Sequence, residues 1–157
     1  INKAVKKGSL SNDEVIKITR DAGINMIGHA ILGLYDDDED SIRKNVDFLR
    51  KHQFEWNNIY PAFAYPGTPF YDKYVGEGII EEPRSWEEYG LYSYECKPLP
   101  TKHLTSAQVL SLRDELFNEY YGDQNVQDNL RIKFGQKTID HINEMLSVKL
   151  KRKILGD

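Results

Sequence analysis

The chain has 157 residues, a formal net charge of −4 and a single cysteine. Its length predicts about one domain, its charge gives no reason to expect nucleic acid binding, and one thiol excludes a disulfide framework. No stretch approaches the ~18 apolar residues of a transmembrane helix, and no signal peptide is recognisable. We therefore expect a cytoplasmic protein that does not bind a membrane.

The first predicted unit is a helix followed by a strand. Ser11 and Glu14 have the spacing of a capping box at a helix start, and Gly23 is a natural helix stop. The segment Ile24–Leu32 is almost wholly apolar and contains β-branched residues. Such a run is typical of a parallel strand that is buried on both faces.

An acidic run opens the next predicted helix, Glu39–His52, and basic residues close it. The run Asp36–Asp40 could in principle bind a cation, but a calcium loop needs Gly at its sixth position and Glu at its twelfth. Counting from Asp36, those positions hold Ser41 and Asp47. We therefore interpret the acids as helix caps that complement the helix dipole.

The next strand, Trp56–Phe63, leads into a rigid turn. Pro66 fixes φ, Gly67 allows a positive φ, and Thr68 followed by Pro69 is the pattern of an N-cap with proline at the first helical position. Helix, strand, helix and strand in this order predict a parallel sheet. In such sheets ligands bind at the loops that follow the strands.

The rest of the chain is predicted to be mainly helical. A short helix ends near Gly76, Ser85 could cap a single turn, and residues 92–103 are expected to be irregular. Three helices follow, predicted at Thr105–Gly122, Val126–Phe134 and Gln136–Leu155.

Two motifs together resemble the C-terminal half of a radical SAM enzyme. Tyr65–Tyr71 matches the Tyr-Pro-Gly-Thr-Pro-Leu-Tyr strand end of that family, with Phe70 in place of Leu. Upstream, Gly33 and Leu34 match the start of Gly-Leu-Pro-Gly-Glu-Thr, whose remaining residues are replaced here by Tyr-Asp-Asp-Asp.

Three shorter segments extend the resemblance. Lys6–Gly8 and Asp21–Ile24 fit the same family, and the tail Leu150–Gly156 is similar to cobalamin-dependent members. The similarity covers residues 1–86 well and the tail loosely.

The resemblance implies a fold, an activity and a set of cofactors. The expected fold is α/β, a partial (β/α) barrel fragment with two or three parallel strands and a helical C-terminal extension. The intact enzyme would use a four-iron, four-sulfur cluster to cleave S-adenosylmethionine to a 5′-deoxyadenosyl radical that acts on a small-molecule substrate; cobalamin is a further candidate cofactor. One cysteine, Cys96, cannot hold a cluster that needs several thiolates. We therefore expect an inactive fragment whose partner is the N-terminal half of its own chain.

The same resemblance implies which residues line the adenine of S-adenosylmethionine. They are Ile31, Gly33 and Leu34 in the first motif and Phe63, Ala64, Tyr65 and Pro66 in the second. No catalytic or metal-binding residue is expected within the chain.

The expected organisation has three parts: the barrel portion at 1–82, an irregular connection at 83–104 and the helical extension at 105–157. Two alternatives to the radical SAM fragment stay open, a non-catalytic helical docking or dimerisation module and a fragment of an RNA-modifying methylthiotransferase. No basic, β-rich RNA-binding domain is evident in the sequence, and a homodimer is one candidate assembly.

The remaining candidate groups favour structural roles. His29, His52, His103 and His141 show no pair at metal-ligand spacing, so we expect His29 to be structural. Cys96 has no adjacent base in sequence and is expected to be half-buried. The basic stretch Lys149–Lys153 is expected to be a solvated helix end.

Overall fold

The computed structural model describes residues 10–157, so Lys6–Gly8 lies outside the described residues. The chain is a mixed α/β protein. Its described part has two strands, six helices and two 3-10 turns, one between α3 and α4 and one after α6. The elements are α1 Asn12–Asp21, β1 Ile27–Leu32, α2 Glu39–His52, β2 Trp56–Pro61, α3 Pro69–Gly76, a turn at Trp86–Tyr89, α4 Ser106–Gly122, α5 Gln124–Phe134, α6 Gln136–Ser147 and a turn at Lys153–Leu155.

The first two helices begin at the caps that the sequence predicts. The Ser11 side chain accepts from the Glu14 N–H, and the Glu14 carboxylate accepts from Ser11 in return. Asp38 caps α2 in the same reciprocal way with Ser41. The acidic run is therefore used for capping, as predicted.

The two strands pair in parallel, with a register from Ile27 opposite Trp56 to Leu32 opposite Pro61. Helix α2 supplies the crossover that parallel neighbours require. The predicted order of elements is confirmed, but the strand limits are shorter. The first strand begins at Ile27 instead of Ile24, and the second ends at Pro61 instead of Phe63.

The prediction that the first strand is buried on both faces is wrong. Ala30 and Leu32 are buried, whereas Ile27 is 58% exposed and Ile31 is 47% exposed. The physical reason is that α2 and α4 pack on one face of the sheet, whereas the β1 side chains that point to the other face are exposed. We call the uncovered side, with Ile27, His29, Ile31, Asn58 and Tyr60, the open face.

Helices α4, α5 and α6 form one core with the covered face of the sheet. The buried members of that core come from both strands, from α2 and from all three later helices: Ala30, Leu32, Ile42, Val46, Leu49, Ile59, Leu112, Leu116, Tyr120, Tyr121, Val126, Leu130, Ile139 and Ile142. The division of the chain into parts at 1–82, 83–104 and 105–157 stays a prediction.

The last helix is shorter than predicted. It ends at Ser147, and the chain then runs extended to a 3-10 turn at Lys153–Leu155. Arg152 is 1% exposed, so the expectation of a solvated basic helix end is wrong at this residue. Its guanidinium binds the Asp114 carboxylate through two hydrogen bonds of 2.9 and 3.0 Å, which explains why a charge can be buried here.

The turn at Trp86–Tyr89 exists, but Ser85 does not cap it. The Ser85 side chain makes no cap hydrogen bond, and the Glu88 carboxylate accepts from the Arg84 N–H instead. A four-residue 3-10 turn offers the capping geometry poorly, because its hydrogen bonds span three residues instead of four.

Candidate functional site

The loops that follow the two strands lie side by side. The Ala62 N–H donates to the Leu32 carbonyl at 2.8 Å, which extends the ladder by one residue beyond β2. Gly33 and Phe63 therefore lie in neighbouring loops at the carboxyl-terminal ends of the two strands. We call this end of the sheet the carboxyl edge. Both motifs of the resemblance thus meet at one end of the molecule.

The first loop is held by the Asp37 carboxylate. One oxygen, Oδ2, accepts from the N–H of Gly33 at 3.1 Å and of Leu34 at 2.9 Å, and the other accepts from the Ser41 hydroxyl at 2.9 Å. Asp37 is therefore the anchor of the first loop. Because both amides already have a partner, they are not free to bind a ligand.

Gly33 is required by the local packing. Its φ is +84°, and a Cβ at this position would lie 2.7 Å from Val109 Cγ1 of α4. A side chain would therefore be strained and would also collide with α4. The structure explains this glycine without a ligand.

The second loop has the geometry that its sequence predicts. Gly67 has a φ of +84°, and Thr68 caps α3 by accepting from the Tyr71 N–H at 3.2 Å. The Thr68 hydroxyl also donates to the Tyr65 carbonyl at 2.7 Å, and Pro69 is the first helical residue. The turn is therefore fixed by its own hydrogen bonds, with the Tyr65 side chain half exposed.

The seven predicted site residues divide into two groups by exposure. Ile31, Leu34, Tyr65 and Pro66 are exposed and Phe63 is partly exposed, whereas Ala64 is buried. With Gly33 packed against α4, the accessible surface is apolar and aromatic. The buried members position the loops but have no surface to offer a ligand.

The aromatic residues that lie beside the second loop are not predicted from the sequence. The ring of Tyr89 stacks on Tyr65 with centroids 5.1 Å apart, and it also lies 6.1 Å from Phe63 and 5.7 Å from Trp86. Burial raises the pKa of the Tyr89 hydroxyl. The density of tyrosines between residues 60 and 94 was a signal, but the sequence does not show which of them meet.

A small cavity lies behind the second loop. It has a volume of about 170 Å³, and its walls include Phe63, Ala64, Tyr89 and Leu99. Leu99 is fixed there by its N–H, which donates to the Ala62 carbonyl at 2.9 Å. The cavity is smaller than the ~300 Å³ lower limit of ordinary ligand pockets.

His29 lies on the open face and is exposed. Its burial therefore gives no support to the structural role expected for it. Its Nδ1 is 3.4 Å from the Asn58 amide nitrogen, and its ring stacks with Tyr60 at a centroid distance of 6.4 Å. These three side chains form a polar and aromatic column beside the aliphatic Ile27 and Ile31. No lysine or arginine lies on either strand of this face.

Cys96 is fully buried, not half-buried as expected. Burial raises the pKa of its thiol to about 11. A protonated, inaccessible thiol is a poor nucleophile and a poor metal ligand. In the described part of the chain, no group of three or more metal-binding side chains comes together.

No family model matches this chain, and no curated protein matches it at a significant level. Over the described residues, no helix combines the length and apolarity needed to cross a membrane.

Proposed function

We propose that this chain is the C-terminal part of a radical SAM enzyme and forms one wall of its S-adenosylmethionine site. The observation that carries the proposal is the position of the two motifs. They follow two parallel strands that are hydrogen-bonded neighbours, and each motif carries accessible side chains at the carboxyl ends of these strands. That edge is where α/β sheets bind ligands.

The accessible residues fit the adenine part of the cofactor. Ile31, Leu34 and Tyr65 offer aliphatic and aromatic surface, which suits the faces of a purine ring. Asp37 occupies the amides of Gly33 and Leu34, so these groups would not bind the polar edge of the ring. Adenine would therefore be held here by packing.

The residues of this chain do not fit the iron–sulfur cluster. Its single cysteine is fully buried, whereas a cluster needs several thiolates. In the proposed enzyme, cluster ligands come from another part of the polypeptide. The chain by itself would then lack the electron source for cleavage of S-adenosylmethionine.

The proposed barrel gives the open face a role. Helices cover the outer face of strands in a (β/α) barrel, and the other face lines the interior. Here α2 and α4 cover one face, so the column of His29, Asn58 and Tyr60 would face a substrate in the interior.

Cobalamin is not supported by a contact in this chain. The tail that resembles cobalamin-dependent members is engaged in the fold through Arg152, Asp114 and Asp157. These contacts are internal, so the tail packs against the rest of this chain at Arg152. Cobalamin therefore remains a candidate for the intact enzyme only.

Iron content and turnover test the proposal. After anaerobic reconstitution, this chain should hold no stoichiometric iron, whereas the full-length polypeptide should hold a cluster. With dithionite and S-adenosylmethionine, the full-length polypeptide should release 5′-deoxyadenosine, measured by mass spectrometry. A full cluster on this chain alone, or no cleavage by a full-length polypeptide that holds its cluster, would refute the proposal.

A further inference from the structure

A cavity of about 630 Å³ lies between α4, α6 and the C-terminal tail, residues 148–157. Its volume falls within the ~300–1,000 Å³ that is usual for small-molecule sites. It shares no lining residue with the loops of the two motifs, so it is separate from the carboxyl edge. Most of its surface is apolar, and its apolar walls are Tyr92, Phe117, Met145, Val148, Leu150 and Leu155.

Three of these apolar side chains are largely open to water. Tyr92 is 71% exposed, Val148 is 61% exposed and Leu155 is 42% exposed. Single exposed apolar residues are common on protein surfaces, but several of them around one concavity mark a place where something binds. The exposed apolar side chains of this cavity therefore favour an occupant with an apolar body.

One charged residue of the cavity wall, Arg113, is almost fully buried. It is 3% exposed, and its guanidinium lies over the ring of Phe117, 4.8 Å from the centroid. Its Nε donates to the Ile59 carbonyl at 2.8 Å, and its Nη1 donates to Asp114 Oδ1 at 2.9 Å. Nη2, which can donate two hydrogen bonds, has no acceptor among the described residues. Because buried N–H groups are normally paired, Nη2 is a donor that an occupant of the cavity can satisfy.

Positive charge exceeds negative charge around this donor. Arg113 and Arg152, which are 3% and 1% exposed, share the single carboxylate of Asp114. Two buried cations on one anion leave a positive charge without a counter-ion, and buried charges in proteins are normally paired. The other two acidic residues of the wall have basic partners of their own, Asp157 with Lys149 at 3.7 Å and Glu115 with Arg43 at 2.7 Å.

We propose that the cavity between α4, α6 and the tail binds an organic anion with an apolar body, such as an aryl or alkyl carboxylate or sulfonate. The anionic group accepts from Nη2 of Arg113 and supplies the negative charge that the two arginines lack. The apolar body covers Phe117, Val148 and Leu155. This site goes beyond the proposed function and does not depend on it, because neither motif contributes to its walls.

Two fluorescent probes with the same aromatic body test the role of Arg113. Anilinonaphthalene sulfonate is an anion, phenylnaphthylamine is its uncharged counterpart, and both become fluorescent in apolar surroundings. In titrations of the full-length polypeptide, Arg113→Gln should weaken binding of the sulfonate at least about tenfold, because a charge-assisted hydrogen bond is lost. The affinity for the uncharged probe should change by less than about twofold. Arg113→Lys keeps the positive charge and should retain more of the sulfonate affinity than Arg113→Gln.

A second variant tests the cavity while leaving the contact between Arg113 and β2 intact. Val148→Trp places a large side chain at the cavity from a position that is already 61% exposed, so the fold should be kept. It should weaken the binding of both probes at least about tenfold, because it occupies the volume that they need. Ile132→Trp, at a position 85% exposed on α5 and outside the cavity, is the matched control and should bind both probes like the parent.

Three outcomes would overturn the proposal. The first is a parent polypeptide that does not bind the sulfonate, or that binds it with the same affinity as Val148→Trp, because the probe would then not use this cavity. The second is an equal loss of affinity for both probes in Arg113→Gln, because Arg113 would then shape the cavity without binding an anion. The third is a parent polypeptide that is a dimer by light scattering and becomes a monomer in Val148→Trp, because a second copy would then cover the cavity.

Discussion

At the scale of single residues, the turn at Gly67 gives the cleanest test of backbone strain. Its φ is +84°, and a Cβ would meet nothing within 4 Å, so a substitution is penalised by conformation alone. We expect Gly67→Ala and Gly67→Val to cost about 1–3 kcal/mol, measured by thermal or urea unfolding. His29→Ala, at an exposed position, should cost less than Gly67→Val.

Gly76 provides the matched control for Gly67. It also has open space around its Cβ position, but it lies in α3 without a positive φ. Gly76→Ala should change the free energy of unfolding by less than about 1 kcal/mol. Equal effects at the two glycines would show that the second loop is not conformationally restricted.

Glu55 couples the start of β2 to α5 through a nearly buried carboxylate. Oε2 accepts from the Met26 N–H at 2.6 Å, and Oε1 binds Lys133. Burial opposes ionisation, but the hydrogen bonds from Lys133 and Met26 outweigh it and lower the pKa of Glu55. The ionised form is therefore the one that stabilises the fold.

This lowered pKa fixes the direction of a pH effect. The contribution of Glu55 is complete above its unfolded pKa of about 4.3 and is lost as the pH falls through the lower folded pKa. We expect Glu55→Gln to lower the free energy of unfolding by about 1.5–3 kcal/mol at pH 7 and by progressively less in acid. Urea unfolding at a series of pH values measures this loss. Glu115→Gln, at an exposed ion pair with Arg43, should cost below about 1 kcal/mol.

At the scale of elements, Tyr121 joins α4 to β2. Its hydroxyl pairs with both backbone groups of Asn57, and burial raises the pKa of this hydroxyl well above its ordinary value. Tyr121→Phe would leave a buried N–H and a buried carbonyl without a partner, at about 1–3 kcal/mol for each group. Urea unfolding should show this loss, whereas Tyr94→Phe, at an exposed hydroxyl, should be close to neutral. A neutral Tyr121→Phe would show that this hydroxyl does not hold the backbone of β2 in place.

Local chemistry explains which elements could be predicted. The caps at Ser11, Asp38, Thr68 and Thr105 and the positive φ of Gly67 depend on neighbours within four residues, so the helix starts follow from the sequence. Covered and open faces depend on helices distant in sequence and could not be predicted in the same way. Thus β1 reads as buried on both faces, although the described residues bury only one.

The candidate site shows the same division. The two loops and their adjacency follow from strand order, but the contacts that close them do not. Val109 against Gly33 and Tyr89 against Tyr65 bring together residues more than twenty positions apart. No periodicity or motif links such residues.

At the scale of the whole molecule, the C-terminal tail is locked to the core by one buried arginine. Arg152 binds both oxygens of Asp114 and donates to the carbonyls of Leu91 and Ser93, while Arg113 binds Asp114 and β2. The tail, the irregular connection and the sheet are thus joined through one cluster.

Substitution of this arginine tests how far the tail contributes to stability. We expect Arg152→Met to cost about 3–5 kcal/mol, because it breaks a buried pair and leaves carbonyls without a donor. Arg152→Lys should recover only part, since it keeps the charge but not the planar fork. Lys151→Met, at an exposed neighbour, is the control and should unfold like the parent.

Binding of S-adenosylmethionine to the full-length polypeptide tests the central claim most directly. Calorimetric titration of the anaerobic protein should show binding that Leu34→Lys weakens at least about tenfold, a loss of about 1.4 kcal/mol, because Leu34 is accessible at the proposed adenine wall and the sulfonium cofactor is cationic. Ile132→Lys, at an apolar side chain 85% exposed on α5, should bind like the parent. No binding by the parent protein, or equal affinity in both variants, would contradict the account.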